Sequence, residues 1–320
     1  MKIMSSTADV LEVEAGTEEG EHVCANCGIA GVDNIKLEEC SGCDLVKYCG
    51  NKCQGDHREQ HEEECMKRKK VLHDKKLFTQ PDINHLGECP LCFLPMPLDP
   101  DQYVFHPCCC KKTCNGCVYA NFISNMNMKE KSYPSCPFCR ESGKSLATED
   151  PNHKKTMKRV KANDPVALRY MGCIRRDEGN YNKAVDYYKK AIDFGDLVAH
   201  FYLGCMYKKG QCVEKDEEKA AYHYEKAAIG GHMDARHRLA CMEGRNGNIK
   251  RMVKHFIIGA KLGHKESMNK LWGEFKYGTI TKEELDAVLR AHQAAVDATK
   301  SSQRDEAAAF FDNMAAIGIH

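Results

Sequence analysis

The chain has 320 residues, with 47 basic and 46 acidic side chains and a formal net charge of +1. That length holds about two or three domains of roughly 100–200 residues each, and the near-neutral balance speaks against a globally basic nucleic-acid binder or an acidic disordered chain. Cysteine is the outlier: of 20, sixteen lie between Cys24 and Cys139, and Cys173, Cys205, Cys212 and Cys241 are scattered beyond.

Residues 1–21 set Lys2 against Asp9, Glu12, Glu14, Glu18, Glu19 and Glu21 without apolar periodicity, so a disordered acidic tail is expected. They hold no apolar core of a signal peptide, and no run of 18 apolar residues occurs anywhere, so no membrane span is expected. The expected location is intracellular, cytoplasmic or nuclear. There, C-x2-C pairs read as metal ligands rather than as disulfides.

Residues 22–65 carry Cys24-x2-Cys27, Cys40-x2-Cys43, Cys49, Cys53, His61 and Cys65. These are eight potential ligands, the number two tetrahedral zinc ions need. His61 and Cys65 are four apart and would share one face of a helix. With Lys47-Tyr48-Cys49 and Cys53-Gln54 between them, the spacings resemble the MYND zinc finger over its whole length. The resemblance implies interleaved ligand sets. Cys24, Cys27, Cys49 and Cys53 would hold one Zn2+, and Cys40, Cys43, His61 and Cys65 the other. It also implies short, often proline-containing peptides as partners. Every position is filled by protein, the closed arrangement of a structural zinc. No stretch resembles the SET methyltransferase domain that accompanies some MYND fingers. His57 lies off the pattern and is expected to face solvent.

Residues 66–85 form a basic connector, with Lys67, Arg68, Lys69, Lys70, Lys75 and Lys76 against Asp74. It reads as a nuclear localisation signal, a phosphate-contacting patch, or the solvated face of a helix running on from Cys65.

Residues 86–142 carry Cys89-Pro90-Leu91-Cys92, Cys108-Cys109-Cys110, Cys114-x2-Cys117 and Cys136-Pro137-Phe138-Cys139-Arg140. This order resembles a RING-type cross-brace. The resemblance implies one zinc on Cys89, Cys92, Cys114 and Cys117. A second would take Cys136 and Cys139 with two ligands from the middle. There the RING register selects Cys109 but puts Lys111 where a histidine belongs, and an ammonium cannot ligate zinc. Cys109 and Cys110 are the assigned pair, with Cys108 and His106 as alternatives, so the module is expected to hold one or two zinc ions. RING ubiquitin ligases grip a ubiquitin-conjugating enzyme through positions that Leu91, Pro137 and Arg140 occupy here. No catalytic residue is assigned, because such ligases act by positioning a partner's reactive bond.

After a polar linker, 143–163, Asp164-Pro165 opens a helical region by placing an N-cap acceptor before a residue suited to N1. An internal repeat follows. Ala167, Ala199 and Ala235 hold equivalent places, as do Cys173, Cys205 and Cys241, and Gly195, Gly231 and Gly263 close the units at spacings of 32, 36 and 32 residues. Each unit has room for two helices of about 12 residues, which bury their apolar faces only by stacking into a solenoid. A degenerate fourth unit carries the capping-box pattern Thr281-Lys282-Glu283-Glu284. The run Ala199-x3-Leu203-Gly204-x2-Tyr207-x2-Gly210 resembles the Sel-1-like subfamily of tetratricopeptide-type repeats. These are scaffolds whose concave face takes peptides or proteins. The repeated cysteines and Tyr187, Tyr188, Tyr222 and Tyr224 are expected to be interhelix packing. Repeats are expected over 164–300, and a C-terminal segment, 301–320, to cap the open end of the solenoid.

The fold class expected is two small zinc-stabilised, loop-rich modules followed by an all-α helical-repeat solenoid. The function expected is a zinc-binding protein–protein interaction scaffold or adaptor. The alternative is a RING-type ubiquitin ligase whose repeats bind substrate. Nucleic acid is the weakest partner class. Zinc removal is expected to unfold residues 22–142 and leave the helices intact.

Overall fold

A computed structural model describes residues 23–31, 36–127, 136–140, 151–211 and 213–316. The acidic tail 1–21 and Cys212 lie outside the described residues. The chain forms two compact units, residues 1–76 and 77–320. Among the described residues, no helix is long and apolar enough to cross a membrane.

The first unit has little regular structure. A tight turn closes on Cys24, whose N–H donates to Ile29 O at 2.8 Å and whose carbonyl accepts from Gly28 at 2.9 Å. Strands β1 (Glu38–Glu39) and β2 (Lys47–Tyr48) pair antiparallel across the second cysteine turn. Helices α1 (Asn51–Asp56) and α2 (Arg58–Phe78) follow. The basic connector is therefore helical as far as Phe78, an extension of the helix carrying His61 and Cys65. Lys67, Lys69 and Lys70 are exposed, and Lys67 pairs with Glu63 one turn back at 2.6 Å. Arg68 is tied instead to Asp44 by two bonds of 2.6 and 2.8 Å.

The second unit opens with Leu77, which is fully buried. Strands β3 (Tyr103–His106) and β4 (Lys111–Cys114) form a hairpin in register Tyr103↔Cys114 to His106↔Lys111, so Cys108, Cys109 and Cys110 occupy its turn. Helix α3 (Asn115–Asn127) leaves directly from Cys114. The expected linker contains a helix, α4 (Pro151–Lys161). Three helix pairs follow, every helix 13 residues long: α5 (Pro165–Asp177) with α6 (Tyr181–Asp193), α7 (Leu197–Lys209) with α8 (Glu217–Ile229), and α9 (Met233–Arg245) with α10 (Ile249–Lys261). A fourth, α11 (Lys265–Lys276) with α12 (Lys282–Asp297), opens its second helix with both bonds of the capping box in place.

The repeat is visible in its chemistry. Asp164, Asp196, His232 and His264 cap the first helices of the four units with the same side-chain-to-backbone bond. Tyr188 and Tyr224 are buried across the pair partner's Gly172 and Gly204, and each donates its hydroxyl to the next cysteine, Cys173 or Cys205, at 3.5 Å. Those cysteines are packing residues, as expected of small side chains where helices approach.

Helix α13 (Ser302–Ala316) lines a cavity together with α12 and also reaches the second cysteine module. Its Phe310 packs on Tyr119 and Phe122 of α3, with ring centroids 5.0 and 5.6 Å apart, so the C-terminal segment covers the second cysteine module. That module also lies against the repeats. Phe105 meets Tyr170 of α5 at 4.8 Å, Thr156 of α4 donates to Pro107 O at 2.9 Å, and the His85 and His232 rings stack at 3.9 Å.

Candidate metal centres

Four groups of ligand atoms converge. In the first unit, Cys24, Cys27, Cys49 and Cys53 form one and Cys40, Cys43, His61 and Cys65 the other, with all ligand atoms in each lying within 4.8 Å of one another. The C-x2-C turns present two sulfurs to one point, α1 supplies Cys53, and α2 supplies His61 and Cys65 from one face. In the second unit, Cys89, Cys92, Cys114 and Cys117 form a third group on the same criterion of 4.8 Å.

A tetrahedral zinc with Zn–S bonds of about 2.3 Å separates its sulfurs by about 3.7–3.8 Å. The separations fit that edge: Cys27–Cys49 and Cys49–Cys53 3.6 Å, Cys40–Cys65 3.8 Å, and Cys89–Cys117 and Cys92–Cys114 3.8 Å. Cys43 Sγ to His61 Nε2 is 3.1 Å, somewhat shorter. The donor sets, thiolate with one imidazole, are those zinc takes.

The fourth group departs from the expected pairing. Cys108, Cys136 and Cys139 lie within 4.8 Å of one another. Cys109 Sγ is 3.7 Å from Cys136 Sγ, the same tetrahedral edge. Cys110 is not brought in. Its backbone turns to φ 55° and its thiol points to Pro107 O at 3.7 Å. His106 bonds Thr113 Oγ1 through Nε2 at 2.8 Å. The hairpin turn reverses direction across three consecutive cysteines, so neighbours on the chain face different ways, which spacing alone does not specify.

Residues 24–65 match the MYND finger, and residues 160–196 and 197–232 each match the Sel1 repeat. The chain carries a MYND finger and Sel1 repeats. No curated protein matches the sequence. Among solved structures, the Sel1 repeat protein from Oxalobacter formigenes is similar over 52% of this chain and 79% of its own, at 20% identity and a TM-score of 0.41. The protein c5321, a protective antigen of uropathogenic Escherichia coli strains displaying an SLR fold, is similar over 52% of this chain and 37% of its own, at 22% identity and a TM-score of 0.37.

In the MYND finger the thiols divide the charge unequally. Burial would raise Cys24, but backbone N–H donors at Cys27, Cys49 and Asn26 outweigh it and bring it down to about 6. Hydrogen bonding to Cys53, Cys27 and Cys24, with some burial, pushes Cys49 up to about 12. Four close sulfurs repel one another's ionisation, and a divalent cation removes that repulsion.

His57 is not simply solvated. It is half-buried, bonded to the Tyr48 hydroxyl through Nδ1 at 3.0 Å, and stacked on the His61 ring at 5.8 Å. Its ring thus lies beside a candidate ligand without belonging to the set. Beside the second set a groove of about 460 Å³ is lined by Ser41, Tyr48, Asn51, Gln54 and Arg58.

In the second cysteine module, Leu91 is 39% exposed, Arg140 is exposed at φ 55°, and Pro137 is half-buried. Sequence reasoning missed the run Leu77 to Leu98 as a docking segment. Arg236 of α9, itself wholly buried, donates to Leu77 O at 2.8 Å, and His85 N–H donates to Gly231 O at 3.1 Å. The apolar pair Leu77-Phe78 after the lysines was the available signal.

Proposed function

We propose that this protein is a zinc-dependent adaptor that joins protein partners through its MYND finger and its Sel1 repeats. MYND fingers and Sel1 repeats are protein-interaction modules. The observation that carries the reading is the set of sulfur–sulfur separations near a tetrahedral zinc edge, with every position filled by protein. Two zinc ions in the finger follow, one on Cys24, Cys27, Cys49 and Cys53 and one on Cys40, Cys43, His61 and Cys65. A third sits on Cys89, Cys92, Cys114 and Cys117. A fourth takes Cys108, Cys136 and Cys139, with Cys109 as its remaining ligand. Bound zinc replaces a hydrophobic core in these segments, and the groove lined by Tyr48 and Gln54 then presents a formed surface to a proline-containing peptide.

The test is elemental analysis followed by a panel of proline-containing peptides. About four zinc ions per chain are expected, with peptide capture lost in Cys40→Ser. Capture that persists in Cys40→Ser, or no peptide retained by the zinc-loaded chain, defeats the reading.

A ubiquitin ligase is the second reading, favoured by the exposure of Leu91 and Arg140. Discharge of ubiquitin from a conjugating enzyme, abolished by Leu91→Ala, establishes it. Discharge unchanged in that variant removes Leu91 from the role, and no discharge by the zinc-loaded chain defeats the reading.

A further inference from the structure

Among the described residues, Arg304 is the one guanidinium bonded to a sulfur of the Cys89, Cys92, Cys114 and Cys117 group. It lies in the first turn of α13, far along the chain from the ligands. Its Nη2 donates to Cys92 Sγ at 3.4 Å. Its Nη1 donates to Pro95 O at 2.8 Å and to Thr299 O. One planar guanidinium thus joins the loop at Pro95, the sulfur of Cys92 and the end of the α12–α13 connection.

The approach is built into the fold. Gly116 stands between ligands Cys114 and Cys117, and a Cβ there would lie 3.2 Å from Arg304 N and 3.3 Å from its Cα. A side chain at this position would press on the first turn of α13, which would have to give by a few tenths of an ångström. Two turns on, Phe310 fastens the helix to Tyr119 and Phe122.

We propose that Arg304 is an outer-shell positioning residue for a zinc ion held by Cys89, Cys92, Cys114 and Cys117, and that α13 is the element that holds it there. The inference rests on the reading of that group as a zinc site. Four thiolates around a divalent cation carry two surplus negative charges. A guanidinium, which keeps its proton at any physiological pH, offsets part of that charge and draws density from the sulfur it touches. Thiolates so held are weaker targets for protonation and for a competing chelator. Removing an outer-shell partner costs roughly 10–100-fold in metal affinity in comparable sites.

The experiment follows zinc transfer from the full zinc-loaded chain to a chromophoric chelator. In Arg304→Met one kinetic phase is expected to accelerate about tenfold or more, within the range for outer-shell partners, while the remaining phases superimpose on the parent. Phe310→Ala loosens α13 but keeps the guanidinium, and is expected to change that phase by much less. In the cobalt-substituted chain, Arg304→Met is expected to shift the thiolate-to-metal charge-transfer bands, a signature that loss of packing alone does not produce. Arg304→Lys keeps the cation without the fork and carries the test if the methionine variant fails to fold; it too is expected to release zinc faster. Unaltered release in both Arg304 variants overturns the proposal. If Cys89→Ser with Cys92→Ser leaves the zinc content unchanged, the group holds no zinc, and the underlying reading fails instead.

Discussion

Arg236 is fully buried, and its guanidinium donates to Leu77 O at 2.8 Å and Ala228 O at 2.7 Å. Burial pulls its pKa down to about 10, so it remains cationic at neutral pH and its charge rests on carbonyl dipoles. Arg236→Ala leaves both carbonyls buried with one bond fewer, and a loss of about 3 kcal/mol in urea unfolding is expected. A change under 1 kcal/mol would show that the bonds are replaced by water. The stacked pair His85 and His232 behaves differently. Burial, with Lys112 and Arg169 nearby, holds His85 at about 4 and His232 well below its ordinary range, against the opposing pull of Asp234. The unfolded chain takes up protons near pH 6.5 that the folded chain refuses. Stability should therefore fall as pH drops below about 6.5 and keep falling toward 4. His85→Phe preserves the stack and removes one of these protons, so its melting temperature should depend less steeply on pH in that window than the parent's. Equal slopes would assign the acid sensitivity elsewhere.

At the scale of elements, the turn within a unit and the turn between units carry different burdens. Gly179 has φ 75° with open space around it, whereas Gly231 has φ 79° and a Cβ there would stand 2.6 Å from Ile83 O. Gly179→Ala should cost only the left-handed conformation, about 1 kcal/mol. Gly231→Ala adds a collision with the docked segment and should cost about 2–3 kcal/mol. Comparable losses in the two variants, read from denaturant midpoints, would mean that the Ile83 segment shifts freely. The first two units share one design: a capped first helix, a tyrosine over a glycine, and a cysteine under the tyrosine hydroxyl. That sameness makes the units stack.

For the molecule as a whole, the second cysteine module shares a compact unit with the repeats. Its contacts through Phe105, Pro107, His85 and Arg304 reach α4, α5, α9 and α13. The expectation that zinc loss spares the helices therefore needs revision for this module. Chelation should lower the melting temperature of the helical signal by several degrees, because losing the metal removes the surface on which α13 and the start of α9 pack. A helical transition that stays in place after full zinc removal would restore the independent behaviour expected of a linear repeat array.

Much of this was legible along the chain. Ligand spacing in C-x2-C turns and the His61–Cys65 helix step are local geometry, and so are N-caps, capping boxes and a 32-to-36-residue period. The turns, caps and helix step are set by residues within a turn or two of one another and the period by repetition along the chain, so the sequence by itself determined the C-x2-C turns, the helix pairs and the packing role of Cys173 and Cys205, while the interleaving of the MYND ligand sets was implied by the resemblance to that family. What only the tertiary structure decided lies between segments far apart. Which way each of Cys108, Cys109 and Cys110 faces depends on a hairpin turn and on Cys136 and Cys139 meeting it. The docking of Leu77 to Leu98 depends on a bare Gly231. The arrival of Arg304 at Cys92 depends on a helix more than 200 residues away, whose first turn packs against the bare Gly116. Such contacts arise from the shapes of surfaces already folded, and no local preference encodes them.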